Sequence, residues 1–131
     1  MISISDLKLI SEARLIDAES LFNSGRYDGA AYLCGYSIEI ALKRKICKTL
    51  KWHGFPSSNN EFEKIKSLKT HDLDVLLSFT GIEEEMKSTF LTEWSLISNW
   101  NPENRYNLSG TVSENDINQM IQSAKTLMEI L

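Results

Sequence analysis

Residues 26–50, RYDGAAYLCGYSIEIALKRKICKTL, decide the fold, because apolar and small side chains recur there at helical spacing. Glu39 is the only ionisable carboxylate or base between Asp28 and Lys43. One apolar stripe comprises Tyr27, Ala31, Cys34, Ile38, Ala41 and Leu42, and a second comprises Tyr32, Tyr36 and Ile40. A helix with two apolar stripes must be covered on two sides, so we predict a buried central helix.

The small residues of this helix predict close packing around it. They are Gly29, Ala30, Ala31, Gly35 and Ser37. Each glycine costs a helix about 1 kcal/mol relative to alanine, so a packing interaction must compensate. We expect a neighbouring helix to approach closely where the side chains are small.

A helix is also predicted before this stretch, and a long connection after it. Residues 5–22 repeat apolar side chains at helical spacing, and Asn23-Ser24-Gly25 supplies the turn residues that end the run. Residues 52–69, WHGFPSSNNEFEKIKSLK, mix turn residues with charge and show no stable apolar period. We therefore predict a connection over these residues.

Three further helices are predicted in the second half of the chain. Thr70 is the expected N-cap of a short helix. A long helix begins near Ile82 and ends before Pro102, where the backbone donor is missing. Ser113 and Asp116 match a capping box at the start of a terminal amphipathic helix.

This order predicts an all-α fold, an up-and-down bundle of four long helices plus one short helix. No segment shows sustained strand alternation, and no internal repeat is visible. The length of 131 residues suits one core, so we expect residues 1–131 to form a single domain.

Sequence features also indicate the compartment. Residues 29–42 are nearly free of charge but number only 14, whereas crossing a bilayer takes about 20 apolar residues. The N-terminal residues carry acids and no long apolar run, unlike a signal peptide. Cys34 and Cys47 lie 13 positions apart in one predicted helix, too far for a disulfide. We expect reduced cysteines, a cytoplasmic location and no membrane contact.

The net charge of −4 is unevenly distributed along the chain. Residues 1–52 sum to +2, residues 53–81 to −1 and residues 82–131 to −5. A dedicated nucleic-acid-binding protein normally has a clear basic excess, so this balance argues against one.

Glu39 needs a partner if its helix is buried, because an unpaired buried charge is expensive. One interpretation leaves Glu39 exposed and pairs it with Lys43 one turn along the helix. The other pairs it with a cation from a distant segment. The residues alone leave both interpretations open.

Few residues suggest chemistry elsewhere. His71, at the start of the short helix, is a candidate catalytic residue, although a histidine there more often makes a local hydrogen bond. The two cysteines and His53 and His71 show no metal-ligand spacing, and no hydrolytic triad is evident. With no glycine-rich phosphate loop either, we expect neither a metal nor a cofactor.

Arg105 and Tyr106 interrupt a polar loop rich in asparagine. Arginine binds a carboxylate or phosphate with two parallel hydrogen bonds, and tyrosine can stack or donate. The pair could therefore either attach the loop to the bundle or face a ligand. The sequence does not decide between these roles.

Three stretches, in this order, resemble the HEPN family over nearly the whole chain. They are residues 25–46, GRYDGAAYLCGYSIEIALKRKI, residues 70–77, THDLDVLL, and residues 103–107, ENRYN, before the capped terminal helix. The most specific is a Tyr-x-x-Glu-x-Ala-Leu-Lys pattern, which here is formed by Tyr36, Glu39, Ala41, Leu42 and Lys43.

The resemblance implies a helical bundle that forms a homodimer and is often encoded beside a minimal nucleotidyltransferase in bacterial toxin–antitoxin or defence modules. Many family members are metal-independent ribonucleases, with an arginine followed four to six residues later by a histidine. Arg105 fits the arginine, but residues 106–131 contain no histidine. In the branch that this chain resembles, Arg-Tyr is usually followed by proline, where Asn107 stands here. The missing histidine argues against an enzyme.

Combining the residues with the resemblance gives a structural hypothesis for the site. Glu39 and Arg105 are expected to form a buried or semi-buried ion pair near Tyr36, Tyr106 and His71. This polar cluster would be structural or ligand-binding.

Three functions remain open. The first is a dimeric regulatory or partner-binding module that acts with a nucleotidyltransferase or a nucleotide. The second is a metal-independent RNA-cleaving toxin with a degenerate motif, in which Arg105 and His71 supply the chemistry. The third is a non-catalytic helical scaffold subunit.

Overall fold

The computed structural model describes residues 1–108 and 110–131. Three long helices form its framework: α1 (Ile4–Asn23), α2 (Tyr27–Leu50) and α7 (Glu114–Met128). Four shorter helices lie between α2 and α7: α3 (Asn59–Phe62), α4 (Leu73–Ser78), α5 (Glu83–Thr89) and α6 (Leu91–Ile97). Two 3₁₀ helices span Lys66–Leu68 and Pro102–Tyr106, and strands β1 (Ile2–Ser3) and β2 (Gly54–Phe55) complete the fold. The predicted all-α bundle is confirmed.

Helix α2 occupies the centre of the bundle, as its two apolar stripes predict. It packs against α1, α7 and α4, and eleven of its residues are buried. Gly35 shows how closely it is covered, because a Cβ built there would lie 2.1 Å from Cδ1 of Trp100. Close packing at Gly35 is confirmed, but an aromatic ring makes the approach rather than a neighbouring helix backbone.

The antiparallel α1–α2 hairpin also follows the sequence signals. Ser3 Oγ accepts a hydrogen bond from the Asp6 N–H and caps α1, which starts one residue earlier than predicted. At the other end Gly25 adopts φ +76°, a left-handed conformation that glycine allows without strain. This turn reverses the chain and brings α2 back along α1.

The prediction of one long helix from residue 82 is wrong in one respect, because the structure divides this segment into α5 and α6. Phe90 leaves the helical region, with φ −117° and ψ 30°. Ser88, Thr89 and Phe90 are all weak helix formers, and packing overrides the periodic pattern there. Within the described residues the bundle therefore has three long and four short helices rather than four long and one short.

Residues 52–69 connect α2 to α4 but contain more structure than predicted. Phe55 is buried, and β2 pairs with β1 in antiparallel register, Ile2 opposite Phe55 and Ser3 opposite Gly54. Two-residue strands are too short to show alternation in a sequence, so this ladder was not predicted. It ties the start of the chain to the segment that follows α2.

The N-caps of the last two predicted helices have different outcomes. Ser113 Oγ accepts from the Asp116 N–H at 3.1 Å, which confirms Ser113 as the cap of α7. The return hydrogen bond to the Asp116 carboxylate that completes a capping box is not found among the described residues. Thr70 is not the cap of α4. Asp72, directly before the first helical residue, accepts from the Val75 N–H at 3.1 Å instead, while Thr70 accepts from the Asp72 N–H. The aspartate position matches the helix start more closely.

The part of the chain that the structure describes contains no helix both long and apolar enough to cross a bilayer. Cys34 and Cys47 are free and buried, as expected from their spacing. Burial and then the Glu19 charge raise the pKa of the Cys34 thiol to about 12. Burial raises the pKa of the Cys47 thiol to about 11. Both thiols are therefore protonated at neutral pH and are poor nucleophiles.

Candidate functional site: a polar–aromatic face beside α2

Glu39 is buried, with 1% of its surface exposed, and both of its carboxylate oxygens are occupied. Oε2 accepts from Lys43 Nζ at 3.1 Å, one turn along α2. Oε1 lies 2.7 Å from Nδ1 of His71, which belongs to the segment just before α4. The local pair with Lys43 is therefore formed, but on a buried carboxylate that a distant residue also reaches.

The contact with Glu39 orients the His71 ring. The carboxylate oxygen accepts the hydrogen bond when Nδ1 of His71 is the protonated nitrogen of the ring. Nε2 is not used in this contact, and the His71 side chain is 61% exposed. A carboxylate that orients an exposed imidazole in this way is the arrangement that proton transfer requires.

Three aromatic rings continue the site along α2. Tyr32 and Tyr36 stack with their ring centroids 6.2 Å apart, and Trp100 lies 6.1 Å from Tyr32 and 6.3 Å from Tyr36. Trp100 sits over Gly35 and donates from Nε1 to the Tyr32 carbonyl at 3.0 Å. Burial and then the Glu39 charge raise the pKa of the Tyr36 hydroxyl, which keeps it protonated at neutral pH.

Arg105 and Tyr106 lie at the outer end of this cluster, in the 3₁₀ helix Pro102–Tyr106. Asn101 caps that helix by accepting from the Glu103 N–H at 2.8 Å. The Arg105 guanidinium carbon is 4.8 Å from the centroid of the Tyr106 ring, a cation–π distance. Polar contacts with the side chains of Tyr106 and then Tyr32 raise the pKa of the Arg105 guanidinium. Both residues are exposed, Tyr106 to 71%.

The expected Glu39–Arg105 ion pair is wrong. Among the described residues Glu39 forms an ion pair with Lys43 and a side-chain contact with His71, and Arg105 makes no ion pair with a carboxylate. The reason is position along α2, because the tyrosine of α2 that raises the pKa of Arg105 is Tyr32, seven residues before Glu39. At about 1.5 Å per residue, the two points are about 10 Å apart along the helix axis.

The predicted residues nevertheless lie in one region, with Glu39 buried, Tyr36 half-buried and Arg105 and Tyr106 exposed. We define the polar–aromatic face as Tyr32, Tyr36, Glu39, His71, Trp100, Arg105 and Tyr106. Tyr32 and Trp100 were not predicted as members. Tyr32 had a usable signal, since Tyr32, Tyr36 and Glu39 are spaced four and three apart and must share one face of a helix.

A cleft of about 480 Å³ opens beside His71 and Trp100. Its lining is polar and includes Asp72, Asp74 and Glu103. Asp72 caps α4, and Asp74 accepts from Trp94 Nε1 at 3.0 Å, so these two carboxylates already have structural roles. The cleft is acidic, and an anionic group would bind at the Arg105 end of the face rather than inside it.

A second cavity, of about 430 Å³, lies away from this face. Its lining is largely apolar and includes Trp52, Pro56 and Ile65. His53 is at its rim, but neither His53 nor the predicted site residues form a polar cluster there. Across residues 1–108 and 110–131, no group of three or more His, Cys, Asp and Glu side chains is arranged to hold a metal ion.

The polar–aromatic face thus offers an oriented imidazole, one exposed tyrosine ring at Tyr106 and a permanently charged guanidinium. Comparisons of the chain with models of protein families, with curated proteins and with solved structures gave no match.

Proposed function

We propose that this protein is a HEPN-like regulatory module that binds a nucleotide at the polar–aromatic face and acts as a homodimer with a nucleotidyltransferase partner. One observation carries the proposal. The three stretches that resemble the family are far apart in the sequence, and each contributes a residue to this face: Glu39, His71 and Arg105. The setting implied by the resemblance is a bacterial toxin–antitoxin or defence system.

The chemistry of the exposed part of the face suits a nucleotide. The Arg105 guanidinium can donate two parallel hydrogen bonds to a phosphate. The Tyr106 ring beside it is largely exposed, and aromatic rings stack on any base with about 1–3 kcal/mol per base. Phosphate and base recognition therefore lie side by side.

Charge favours a single nucleotide over a long nucleic acid. Residues 82–131, which include Arg105, sum to −5, and the adjoining cleft is lined by acids. A long RNA would bring many phosphates against this surface, whereas a nucleotide brings one phosphate group to one arginine. The absence of histidine from residues 106–131 supports a binding role over cleavage by the family's motif.

Calorimetric titration with AMP and ATP tests nucleotide binding. We expect saturable binding to the wild type and at least about tenfold weaker binding to Arg105→Ala and Tyr106→Ala. Arg26→Ala is the matched control, because Arg26 is an exposed arginine in the turn between α1 and α2. No saturable binding, or an equal loss in the control, would contradict the proposal.

The assembly part of the proposal needs a separate measurement. Light scattering after size-exclusion chromatography should give twice the mass of one 14.9 kDa chain. Co-expression with a nucleotidyltransferase encoded beside the gene should give a complex that elutes as one species. A monomer at all concentrations, or independent elution of the two proteins, would remove this part.

Metal-independent RNA cleavage is a second candidate, favoured by the Glu39–His71 contact. With Nδ1 held by Glu39, Nε2 of His71 could accept the proton of an attacking ribose 2′-hydroxyl. Cleavage of single-stranded RNA in excess chelator, lost in both His71→Gln and Arg105→Ala, would support this candidate. No cleavage by the wild type would eliminate it.

A further inference from the structure

Helix α1 has an apolar stripe on its outer face that nothing in the chain covers among the described residues. Leu9 and Ile16 are 63% and 64% exposed, and the half-buried Ala13 lies between them. These three residues are spaced four and three apart, so they lie in a row along one side of the helix. We call Leu9, Ala13 and Ile16 the outer stripe of α1.

The outer stripe is not part of the core surface of the helix. Leu7, Ser11, Leu15 and Ala18 form the buried side of α1. On an ideal helix these residues point in roughly the opposite direction from Leu9 and Ile16. Helix α1 is therefore apolar on two sides and, unlike α2, is covered on only one of them.

Acidic residues border the outer stripe. Glu12 lies beside it, three residues after Leu9 and four before Ile16, and Asp6 and Asp17 lie on the other edge. Asp17 pairs with Arg14 at 3.5 Å, whereas Asp6 and Glu12 have no ion-pair partner among the described residues. Exposed Lys8 lies one turn before Glu12 on the same edge. The stripe therefore presents an apolar centre whose border carries three acids and one lysine and is negative on balance.

This charge pattern argues against a second copy of the chain as the occupant. Two antiparallel α1 helices related by a two-fold axis at Ala13 would place Glu12 beside Glu12 of the second copy. On the other edge Asp17 would lie beside Asp6 of that copy. Like charges so placed are destabilising. A homodimer, if formed, is expected to use another surface.

The same acids disfavour a membrane surface, since the lipids that recruit amphipathic helices are anionic. A protein helix with the opposite border would satisfy both the apolar and the charged parts of the surface. Helix-against-helix recognition uses apolar anchors at the spacing that the outer stripe already has.

We propose that the outer stripe of α1 docks a basic amphipathic helix of a partner protein, with leucine or isoleucine facing Leu9 and Ile16 and lysine or arginine facing Glu12 and Asp17. The residues of this docking surface are separate from the polar–aromatic face. Partner docking on α1 is therefore independent of nucleotide binding at the polar–aromatic face. An experiment can contradict either proposal without affecting the other.

The test uses two fluorescent helical peptides with identical leucine positions, one bordered by lysine and the other by glutamate. Fluorescence anisotropy should show saturable binding of the lysine peptide and at least about tenfold weaker binding of the glutamate peptide. Binding of the lysine peptide should weaken as salt is added.

Variants locate the binding. Leu9→Ser and Ile16→Ser leave the charge of the protein unchanged. Each should weaken binding of the lysine peptide about tenfold. Leu91→Ser is the matched control, because Leu91 is 56% exposed on α6, outside the stripe. This substitution should leave binding of the lysine peptide unchanged. Glu12→Lys should weaken binding of the lysine peptide and strengthen binding of the glutamate peptide.

Four results would overturn the proposal. They are no binding of the lysine peptide, equal binding of both peptides, binding unaffected by Leu9→Ser and Ile16→Ser, and loss of binding in the Leu91→Ser control.

Two other occupants of the stripe would each give a distinct result. Self-association abolished by Ile16→Ser would identify a second copy, and sedimentation with vesicles of phosphatidylcholine and phosphatidylglycerol abolished by Ile16→Ser would identify a membrane.

Discussion

The two ends of the polar–aromatic face differ in what holds them. At the buried end, Glu39 is surrounded by Lys43, His71 and Tyr36, and Trp100 fills the space over Gly35. At the exposed end, Arg105 and Tyr106 contact mainly each other and solvent. The buried end therefore contributes to folding, whereas the exposed end is free to bind. Substitutions should separate these two roles.

The largest effect is expected at Trp100, which is 6% exposed and packs on Tyr32 and Tyr36. Trp100→Ala should lower the free energy of unfolding by about 3–5 kcal/mol, the usual cost of removing a buried tryptophan. Urea unfolding followed by circular dichroism measures it, with Leu91→Ala as the exposed control. A loss equal to that of the control would show that the ring is dispensable.

Glu39→Ala should have the next largest effect, lowering the free energy of unfolding by about 2–3 kcal/mol. The loss is smaller than for a fully buried pair, because His71 can turn to solvent and the Lys43 side chain is already partly exposed. Urea unfolding of Glu39→Ala beside Glu39→Gln measures it, and Gln should retain part of the stability. Wild-type stability in both variants would contradict a structural role for Glu39.

A smaller effect is expected at Asp28, which anchors the segment after the exposed end. It accepts from the Gly110 N–H at 2.8 Å and from Thr111 Oγ1 at 2.6 Å. The Thr111 and then the Gly110 hydrogen bond lower the pKa of the Asp28 carboxyl. Because the folded-state pKa is lowered, this stability is present above the ordinary aspartate pKa and is lost as pH falls through the folded value.

Acid titration of stability checks this sign. The difference in free energy of unfolding between the wild type and Asp28→Asn should shrink as the pH falls below about 4. Hydrogen exchange at Gly110 and Thr111 should speed up over the same range. A difference that is constant with pH, or grows in acid, would contradict the role of the Asp28 carboxylate.

The smallest effect on stability is expected at Arg105. Because its side chain is exposed and makes no ion pair with a carboxylate among the described residues, Arg105→Ala should leave the free energy of unfolding close to that of the wild type. Thermal unfolding measures this change. A loss as large as that expected for Glu39→Ala would instead indicate a buried pair between Arg105 and Glu39.

Sequence periodicity predicted the framework because it depends on local physics. The two apolar stripes of α2, the turn at Gly25 and the Ser113 cap need only neighbouring residues, and each is found in the structure. The break at Phe90 and the β1–β2 ladder depend on contacts between distant segments. Such contacts leave no periodic signal.

The sequence predicted which residues belong to the candidate site better than it predicted the contacts between them. Glu39 stood out as a lone carboxylate in an uncharged run, and it is buried as that run implies. Its partners could not be read from the sequence, since several cations were available and register along α2 decides which one reaches it. His71 and Lys43 reach Glu39, and Arg105 meets the helix at Tyr32 instead.

Heteronuclear NMR of the amide groups during titration with AMP would show where on the protein the nucleotide binds. We expect chemical-shift changes at Tyr32, the Trp100 indole, Arg105 and Tyr106, with Glu39 and Lys43 little changed. Shift changes concentrated around the cavity at Trp52 and Ile65, or none at saturating AMP, would contradict this expectation.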